Sequence, residues 1–158
     1  MMTPRIETSR EKKLVGLSLP MSYAANTTGL LWQKFMPRRK EITNNVSGDL
    51  ISLQIYPPGF DFGPHSQFEK WAAIEVTDLD HVPDQMRTFV LPAGTYAVFD
   101  YKGSSTDTRI FQYIFMEWLP SSGYVLDNRP HFEVLGAKYK NASPDSEEEI
   151  WIPVKPVN

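Results

Sequence analysis

Two short sequence motifs occur twice in this chain, in the same order and about half a chain apart. Trp32-x-x-Phe35-x-Pro37 is echoed by Phe115-x-x-Trp118-x-Pro120, and Glu69-Lys70-Trp71 is echoed by Glu149-Ile150-Trp151. In both halves the motifs fall within the same predicted order of elements: strand, helix, strand, strand. We therefore predict an internal duplication, which restricts the chain to folds built from two copies of one unit.

Strands and helices are predicted from the spacing of apolar residues and from turn formers. Stretches rich in β-favouring residues predict strands at residues 5–19, 50–56, 70–76, 86–91, 95–101, 131–135 and 149–154. Two apolar stripes at helical spacing, each preceded by Ser, Thr or Asn side chains that can cap a helix, predict two helices. The first is predicted to end at Pro37, and the second is stopped by Pro120 and Gly123. The stretch from Arg38 to Asp49 is predicted to be a loop.

One such unit has a single apolar sheet face and a single apolar helix stripe, which is too little to close a hydrophobic core by itself. We therefore predict an α+β fold with one domain over residues 1–158, in which halves of about 1–80 and 81–158 pair about a pseudo-two-fold axis. The junction of the halves would leave a groove lined by equivalent positions from both.

The composition argues against several classes of function. A formal net charge of −3 with scattered basic residues lacks the positive surface that binds nucleic acid directly. The chain has no cysteine, which removes disulfides and thiolate chemistry and fits a cytoplasmic location. His65, His81 and His131 are dispersed and there is no nucleotide-binding glycine motif, so we predict no metal and no cofactor. The sequence shows no apolar signal segment and no run of about 18 apolar residues, so we predict no contact with a membrane.

Aromatic residues make up 13% of the chain, so either the core is rich in rings or the protein binds a flat molecule. Side chains alternate between the two faces of a strand. If Ile150 faces a core covered by helices, Glu149 and Trp151 point away from it. If Phe132 lies in the same core, Glu133 points away as well. The alternation then places two carboxylates and an indole on one surface.

Four segments carry a resemblance to a known family. They are Ala93-Gly94-Thr95-Tyr96-Ala97-Val98-Phe99, Glu117-Trp118-Leu119-Pro120, Pro130-x-Phe132-Glu133 and Glu149-Ile150-Trp151-Ile152-Pro153-Val154. In combination, over nearly the whole chain, they resemble the GyrI-like small-molecule-binding family, whose module is similar to the effector-binding domain of multidrug-sensing transcription activators. The resemblance implies a duplicated fold with a curved antiparallel sheet, two main helices and a ligand cleft.

The resemblance also implies roles for individual residues. Glu133, in the Pro-x-Phe-Glu motif, is expected in the cleft as the main functional carboxylate, and the family's usual aromatic residue two positions later is Leu135 here. Glu149 and Trp151 match positions that flank the pocket. We predict that Glu133 anchors the ligand and that Glu149, Trp151 and Trp71 line the site. Further candidate contacts, for which packing in the core is the alternative, are Tyr96, Trp32 and Phe115.

Three functions remain open from the sequence. A carboxylate walled by rings loses hydration and gains from a nearby cation, which favours sensing or sequestration of a small, flat, apolar or cationic molecule. The second function, suggested by the resemblance, is a small hydrolase of reactive cyclopropane-type compounds with Glu133 as general base. The third is inhibition of a larger enzyme through a protein interface, as in the family's name-giving gyrase inhibitor. Because no helix-turn-helix pattern precedes the predicted domain, control of transcription would need a partner protein.

Overall fold

The computed structural model describes residues 2–157 and arranges them as a curved antiparallel sheet with two main helices. The strands are β1 (Arg5–Ser9), β2 (Lys12–Met21), β3 (Leu50–Ile55), β4 (Phe68–Val76), β5 (Arg87–Leu91), β6 (Gly94–Lys102), β7 (Tyr124–Leu126), β8 (His131–Leu135) and β9 (Glu147–Pro156). The first helix, α1 (Thr28–Phe35), is followed by a 3-10 helix (Met36–Glu41). The second main helix is α2 (Arg109–Tyr113), which continues through a π-helical turn (Ile114–Trp118) into α3 (Leu119–Ser121). Over residues 2–157, no helix is both long enough and apolar enough to cross a membrane.

The order of the strands shows the repeat. It runs β1-β6-β9-β8-β3-β4-β2-β5, with β7 added beside β9. Exchanging β1, β2, β3 and β4 for β5, β6, β8 and β9 gives the same order in reverse, so the two sets of strands are equivalent. The pseudo-two-fold axis passes between β3 and β8, where Leu53 pairs with Phe132. The predicted α+β fold, with an antiparallel sheet built from two units and two main helices, is confirmed.

The first strand of each half pairs with a strand of the other half, and we call these two strands, β1 and β5, the lent strands. β1 pairs with β6, and β5 pairs with β2. Only Arg10 and Glu11 separate β1 from β2, and only Pro92 and Ala93 separate β5 from β6. At both places the chain therefore bends from one half into the other instead of forming a hairpin, and the two halves are interlocked.

The first copy of the Glu-x-Trp motif holds one of these lent strands. Trp71 Nε1 donates a hydrogen bond to Glu69 Oε1 at 2.7 Å. The other oxygen of Glu69 accepts a hydrogen bond at 3.0 Å from Arg87, which lies on β5. The Arg87 guanidinium also lies over the Trp71 ring, 5.0 Å from its centroid, so three side chains connect β4 to β5.

The second copy of the motif repeats this arrangement. Trp151 Nε1 donates to Glu149 Oε1 at 3.0 Å, and Glu149 Oε2 accepts from Arg5 of β1 at 3.1 Å. Because Arg5 and Arg87 occupy equivalent lent strands, the repeated motif has the same structural task in both halves.

Both faces of the sheet are buried. The helix face carries two apolar cores, one beneath each main helix. The core beneath α1 includes Val15, Leu31, Phe35, Ala72 and Ile74, and the core beneath the second helix includes Ala97, Phe99, Ile110, Ile114, Ile150 and Ile152. The opposite face, which we call the inner face, packs its own side chains together, among them Leu53, Trp71, Tyr96, Phe132 and Trp151.

Some element boundaries differ from the predictions. The strand predicted at 5–19 is divided into β1 and β2, because the chain changes halves at Arg10 and Glu11. The first residues of the loop predicted from Arg38 form a 3-10 helix instead. Pro37 fits the first turn of this helix, because a backbone N–H at that position has no helical partner to bind. The prediction missed β7, a three-residue strand beside β9.

The first testable prediction concerns the close approach of β2 and β4. A Cβ at Gly16 would overlap the Ala72 carbonyl oxygen and lie 2.7 Å from Ala73 Cα. We expect Gly16→Ala to lower the free energy of unfolding by about 2 kcal/mol or more, because the backbone must shift. Gly29 in α1 is the matched control, since nothing lies within 4 Å of its Cβ position. Gly29→Ala should raise stability by up to about 1 kcal/mol. Urea unfolding measures both variants, and a neutral Gly16→Ala would contradict the close packing.

Candidate functional site

A strip of polar side chains crosses the middle of the helix face, between the two helix-covered cores. On the central strands, Ser52 pairs with Glu133 and Gln54 pairs with His131. Directly paired residues share a face, and Glu133 also pairs with Ile150, which packs beneath the second helix. With Lys70, which lies opposite Gln54 on β4, these residues form the polar strip: Ser52, Gln54, Lys70, His131 and Glu133, all of them buried. We call the region above the strip, between the helices, the cleft.

Glu133 is the carboxylate at the centre of the strip, and only 8% of the residue is exposed. Its Oε1 accepts a hydrogen bond from Gln54 Nε2 at 3.2 Å and lies 3.9 Å from Lys70 Nζ. Burial raises the pKa of the Glu133 carboxyl above its ordinary value, while the Lys70 ammonium opposes this shift. Burial lowers the pKa of Lys70, against the effect of Glu133. Both charged forms are therefore held at a cost in solvation.

A second carboxylate, Glu148, belongs to the same electrostatic group. Burial and the charge of Glu133 raise the pKa of Glu148 to about 7, and Lys70 partly offsets this. Two acids thus share one ammonium in a poorly hydrated place. When both carboxyls are ionised and Lys70 is protonated, the group carries one excess negative charge.

The two halves place different side chains at equivalent positions around the axis. Because Leu53 and Phe132 pair at the axis, Gln54 is the equivalent of Glu133. Lys70, opposite Gln54, is likewise the equivalent of Ile150, opposite Glu133. Two residues earlier on the same strands, Phe68 of β4 corresponds to Glu148 of β9. At this last pair of positions the first half contributes a ring and the second half an acid.

Rings cover the His131 end of the strip, and most come from the loop between β3 and β4. We name Tyr23, Tyr56, Phe60, Phe62 and Phe68 the aromatic cover. The Tyr23 and Tyr56 hydroxyls lie 2.5 Å apart, and the Tyr56 ring is 4.6 Å from Phe60 and 5.0 Å from His131. Burial raises the pKa of both tyrosines, with the charge of Glu133 as a contributor, so they stay neutral beside the carboxylate.

Phe62 connects this cover to the second helix. Its ring lies 6.0 Å from Phe115 and 6.2 Å from His131, yet the residue remains 43% exposed. Its backbone has φ of 59°, a left-handed conformation that is unfavourable for a bulky side chain. The loop therefore holds a ring over the cleft in a strained backbone state.

A cavity of about 330 Å³ opens beside this end of the strip. Its walls come from the aromatic cover on one side and from the turn between β7 and β8 on the other. The lining includes Tyr56, Phe60, Phe62, His131, Leu126 and Arg129. The volume falls at the lower end of the range found for small-molecule sites.

The structure brings together only part of the predicted site. Glu133 lies at the centre of the polar strip, and Phe115 lies in the cleft wall, 6.0 Å from His131. Trp32 lies on α1, where its ring meets Phe35 edge-on at 5.9 Å in the core beneath that helix.

The prediction that Glu149 and Trp151 share a surface with Glu133 is wrong. Glu133 pairs with Ile150, whereas Trp151 pairs with Phe132, so the glutamate and the indole lie on opposite faces. A shared surface would require Phe132 and Ile150 to lie in one core, whereas Phe132 packs on the inner face and Ile150 packs beneath the second helix. Both faces of this sheet are buried, so an apolar side chain does not reveal which face it occupies.

Trp71 and Tyr96 also lie on the inner face. They are 1% and 0% exposed, respectively, and the Tyr96 ring meets Phe132 at 5.4 Å and Trp151 at 5.5 Å. Their rings are separated from the polar strip by the sheet itself.

Sequence reasoning missed most of the neighbours of Glu133. Lys70 stands inside a recognised motif, but its partner Gln54 gave no signal of its own. Glu148 lies just before the strand predicted at residues 149–154, in a run of three glutamates, although it has the same strand phase as the buried Ile150. The clearest overlooked signal was the loop sequence Tyr56-Pro57-Pro58-Gly59-Phe60-Asp61-Phe62, where three rings stand among turn formers.

Comparison with known proteins gives one family over nearly the whole chain. The model of the GyrI-like small molecule binding domain matches residues 2–155. The transcriptional regulator BrlR of Pseudomonas aeruginosa is 29% identical over 147 residues, which cover 89% of this chain and 51% of the regulator. The chain thus spans about half the length of this curated relative.

Solved structures share the fold at low sequence identity. SAV2435 bound to tetraphenylphosphonium superposes with a TM-score of 0.72 at 15% identity, covering 98% of this chain and 94% of that one. A hydrolase from Listeria innocua superposes with a TM-score of 0.60 at 10% identity, covering 98% of this chain and 92% of that one. Both similarities show that the architecture recurs in proteins of different kinds.

The second prediction concerns His131, whose imidazole is buried among rings. Burial lowers its pKa from 6.5 to about 4, so the unfolded chain takes up a proton before the folded chain does. The stability from neutral His131 is complete above pH 6.5 and is lost as the pH falls through about 4. The side chain of His131→Phe cannot titrate. Between pH 6.5 and pH 4 the free energy of unfolding of this variant should therefore fall by about 2–4 kcal/mol less than that of the wild type.

Urea unfolding at several pH values measures this difference. The raised pKa of Glu133 acts in the opposite sense, so only the difference between His131→Phe and wild type isolates the histidine. His65→Gln, at an exposed histidine, is the control. Parallel stability curves for His131→Phe and wild type would contradict a buried neutral imidazole.

Proposed function

The chain belongs to the GyrI-like family of small-molecule-binding domains, and from that premise we propose that its cleft binds a small organic cation bearing aromatic rings. Glu133 is the electrostatic anchor, and the aromatic cover and Phe115 supply the apolar walls. The role is sensing or sequestration of such compounds in the cytoplasm.

One observation carries this proposal: the buried pair Glu133 and Lys70 and the half-buried Glu148 lie beside a set of rings. Glu133 and Glu148 both have raised pKa values because water does not hydrate their charges well. A bound cation would replace the missing hydration and favour the ionised forms. Ring faces next to the carboxylates add cation–π attraction and stack on flat ligands without strict hydrogen-bond geometry. Such a site tolerates varied ligands.

The comparisons support the class of ligand. SAV2435, which shares the fold, is bound to tetraphenylphosphonium, a cation surrounded by four phenyl rings. Aromatic surface together with a single positive charge is what the aromatic cover and Glu133 can recognise. Tetraphenylphosphonium is therefore the natural first probe for this chain.

A regulatory role would involve other protein segments. The regulator BrlR is about twice as long as the region it shares with this chain. We propose that the domain itself does not contact nucleic acid and that any signal passes from the cleft to a partner protein or another domain.

Hydrolysis with Glu133 as general base is a second candidate, favoured by the raised pKa of this carboxyl and by the shared fold of the Listeria hydrolase. Its test is turnover of an activated cyclopropane compound, followed by chromatography. Turnover that disappears in Glu133→Gln would support the reaction. Equal rates in wild type and Glu133→Gln would eliminate it.

The third prediction tests the anchor. We expect Glu133→Gln to weaken the binding of tetraphenylphosphonium by about 10- to 100-fold, because the variant keeps the shape of the side chain and removes its charge. Tetraphenylborate, an anion of the same shape, should bind the variant no more weakly than it binds the wild type. Isothermal titration calorimetry at pH 8 measures both ligands.

Glu69→Gln is the control variant, since Glu69 lies on the inner face and pairs with Arg87. It should bind tetraphenylphosphonium as the wild type does. Equal losses for both ligands in Glu133→Gln would indicate a change of shape instead of charge. Absence of tetraphenylphosphonium binding in the wild type would overturn the proposal.

A further inference from the structure

The ammonium of Lys70 occupies a position where the fold itself does not need a charge. The equivalent position in the second half is Ile150, which is 0% exposed and packs beneath the second helix. The same strand geometry therefore buries an isoleucine in one half and a lysine in the other. A buried ammonium costs solvation energy, and the lowered pKa of Lys70 reflects that cost. Lys70 is thus a stability cost that the sheet does not require.

Lys70 is also only loosely paired. The distance of 3.9 Å between its Nζ and Glu133 Oε1 is too long for a hydrogen bond, so the two groups attract each other mainly as charges. The hydrogen bond to Glu133 comes from the neutral Gln54 amide instead. The ammonium therefore neutralises one negative charge in the cleft without fully engaging the Glu133 carboxylate.

The other titratable groups near Glu133 add no positive charge. His131 is neutral above pH 6, because burial lowers its pKa to about 4. The Tyr23 and Tyr56 hydroxyls stay protonated, since burial raises the pKa of each. Arg129, in the cavity wall, is ion-paired with Asp127 at 2.9 Å. The uncompensated charge beside Glu133 is therefore set by Glu133, Glu148 and Lys70.

We propose that Lys70 sets the charge of the ligand. It supplies one positive charge to a group of two carboxylates and leaves one negative charge uncompensated, so that the cleft accepts monocations and discriminates against dications. This inference rests on the proposed cation-binding function and deepens it. A monocation brings the group to neutrality. A dication would leave an excess positive charge in a poorly hydrated site, where uncompensated charge is most costly.

The fourth prediction compares one monocation with one dication in Lys70→Ile, which installs the residue of the equivalent position. The probes are the monocation tetraphenylphosphonium and the flat dication methyl viologen. For each probe, its affinity for the variant is compared with its affinity for the wild type. Titration calorimetry at pH 8 keeps Glu148 ionised, since its pKa is about 7. We expect Lys70→Ile to bind methyl viologen about 100-fold more tightly than the wild type, and tetraphenylphosphonium about 10-fold more tightly.

Two further variants separate charge from shape. Lys70→Arg keeps the positive charge and should change both affinities by less than about threefold. Glu148→Gln removes the excess negative charge and should weaken tetraphenylphosphonium binding by about 10-fold. Near-ultraviolet circular dichroism checks that each variant is folded, and Lys70→Met replaces Lys70→Ile if the latter is not.

The outcomes distinguish this inference from the function on which it depends. If the wild type binds no tetraphenylphosphonium, the cation-binding function itself fails. If the wild type binds it but Lys70→Ile gains no affinity for methyl viologen, Lys70 has only a structural role and the inference is overturned. A larger gain for the dication than for the monocation, absent in Lys70→Arg, supports it.

Discussion

The junction of β3 and β8 is the constraint on which the rest of the structure depends. A two-fold relation between the halves brings equivalent positions to either side of one line, and Leu53 and Phe132 meet there. Any difference between the halves near this line becomes a difference between the two ends of one cleft. The carboxylate of Glu133 and the amide of Gln54 are such a pair, and they hydrogen-bond to each other. A nearly symmetric scaffold thereby holds an asymmetric site, with an acid on one side of the axis and an amide on the other.

The fold could be predicted from the sequence because large apolar and turn-forming residues recur at matching positions in the two halves. Trp, Phe and Pro at repeated spacings identify the two helices, although the helical turns continue past Pro37 to Glu41 and past Pro120 to Ser121. Two equal units in one chain leave few arrangements. The exchange of β1 and β5 was not predictable in this way. It depends on which half each strand joins, and the short links at Arg10–Glu11 and Pro92–Ala93 allow either a hairpin or a bend.

The site was less predictable than the fold, and Glu133 shows why. The family resemblance identified this residue, but alternation along β8 could not tell which face it occupies, since both faces are buried. Its neighbours come from other strands and from a loop: Lys70 reaches it from β4, and Tyr56 approaches from the end of β3. Such contacts follow from the register between strands far apart in the sequence, where no short turn fixes the pairing. The raised pKa of Glu148 is likewise a property of depth in the fold, and the run of three glutamates concealed it.

The lent strands have a consequence for the origin of this architecture. A single unit standing alone would have an unfilled place beside β2 and a first strand with nowhere to pair. Two separate copies could complete each other's sheets by exchanging that strand. The simplest ancestor of this chain is therefore a strand-swapped homodimer. In such an ancestor both sides of the axis necessarily carried the same side chain. Only when the copies are joined in one chain can one position hold an acid and its equivalent an amide, or one position a lysine and its equivalent an isoleucine.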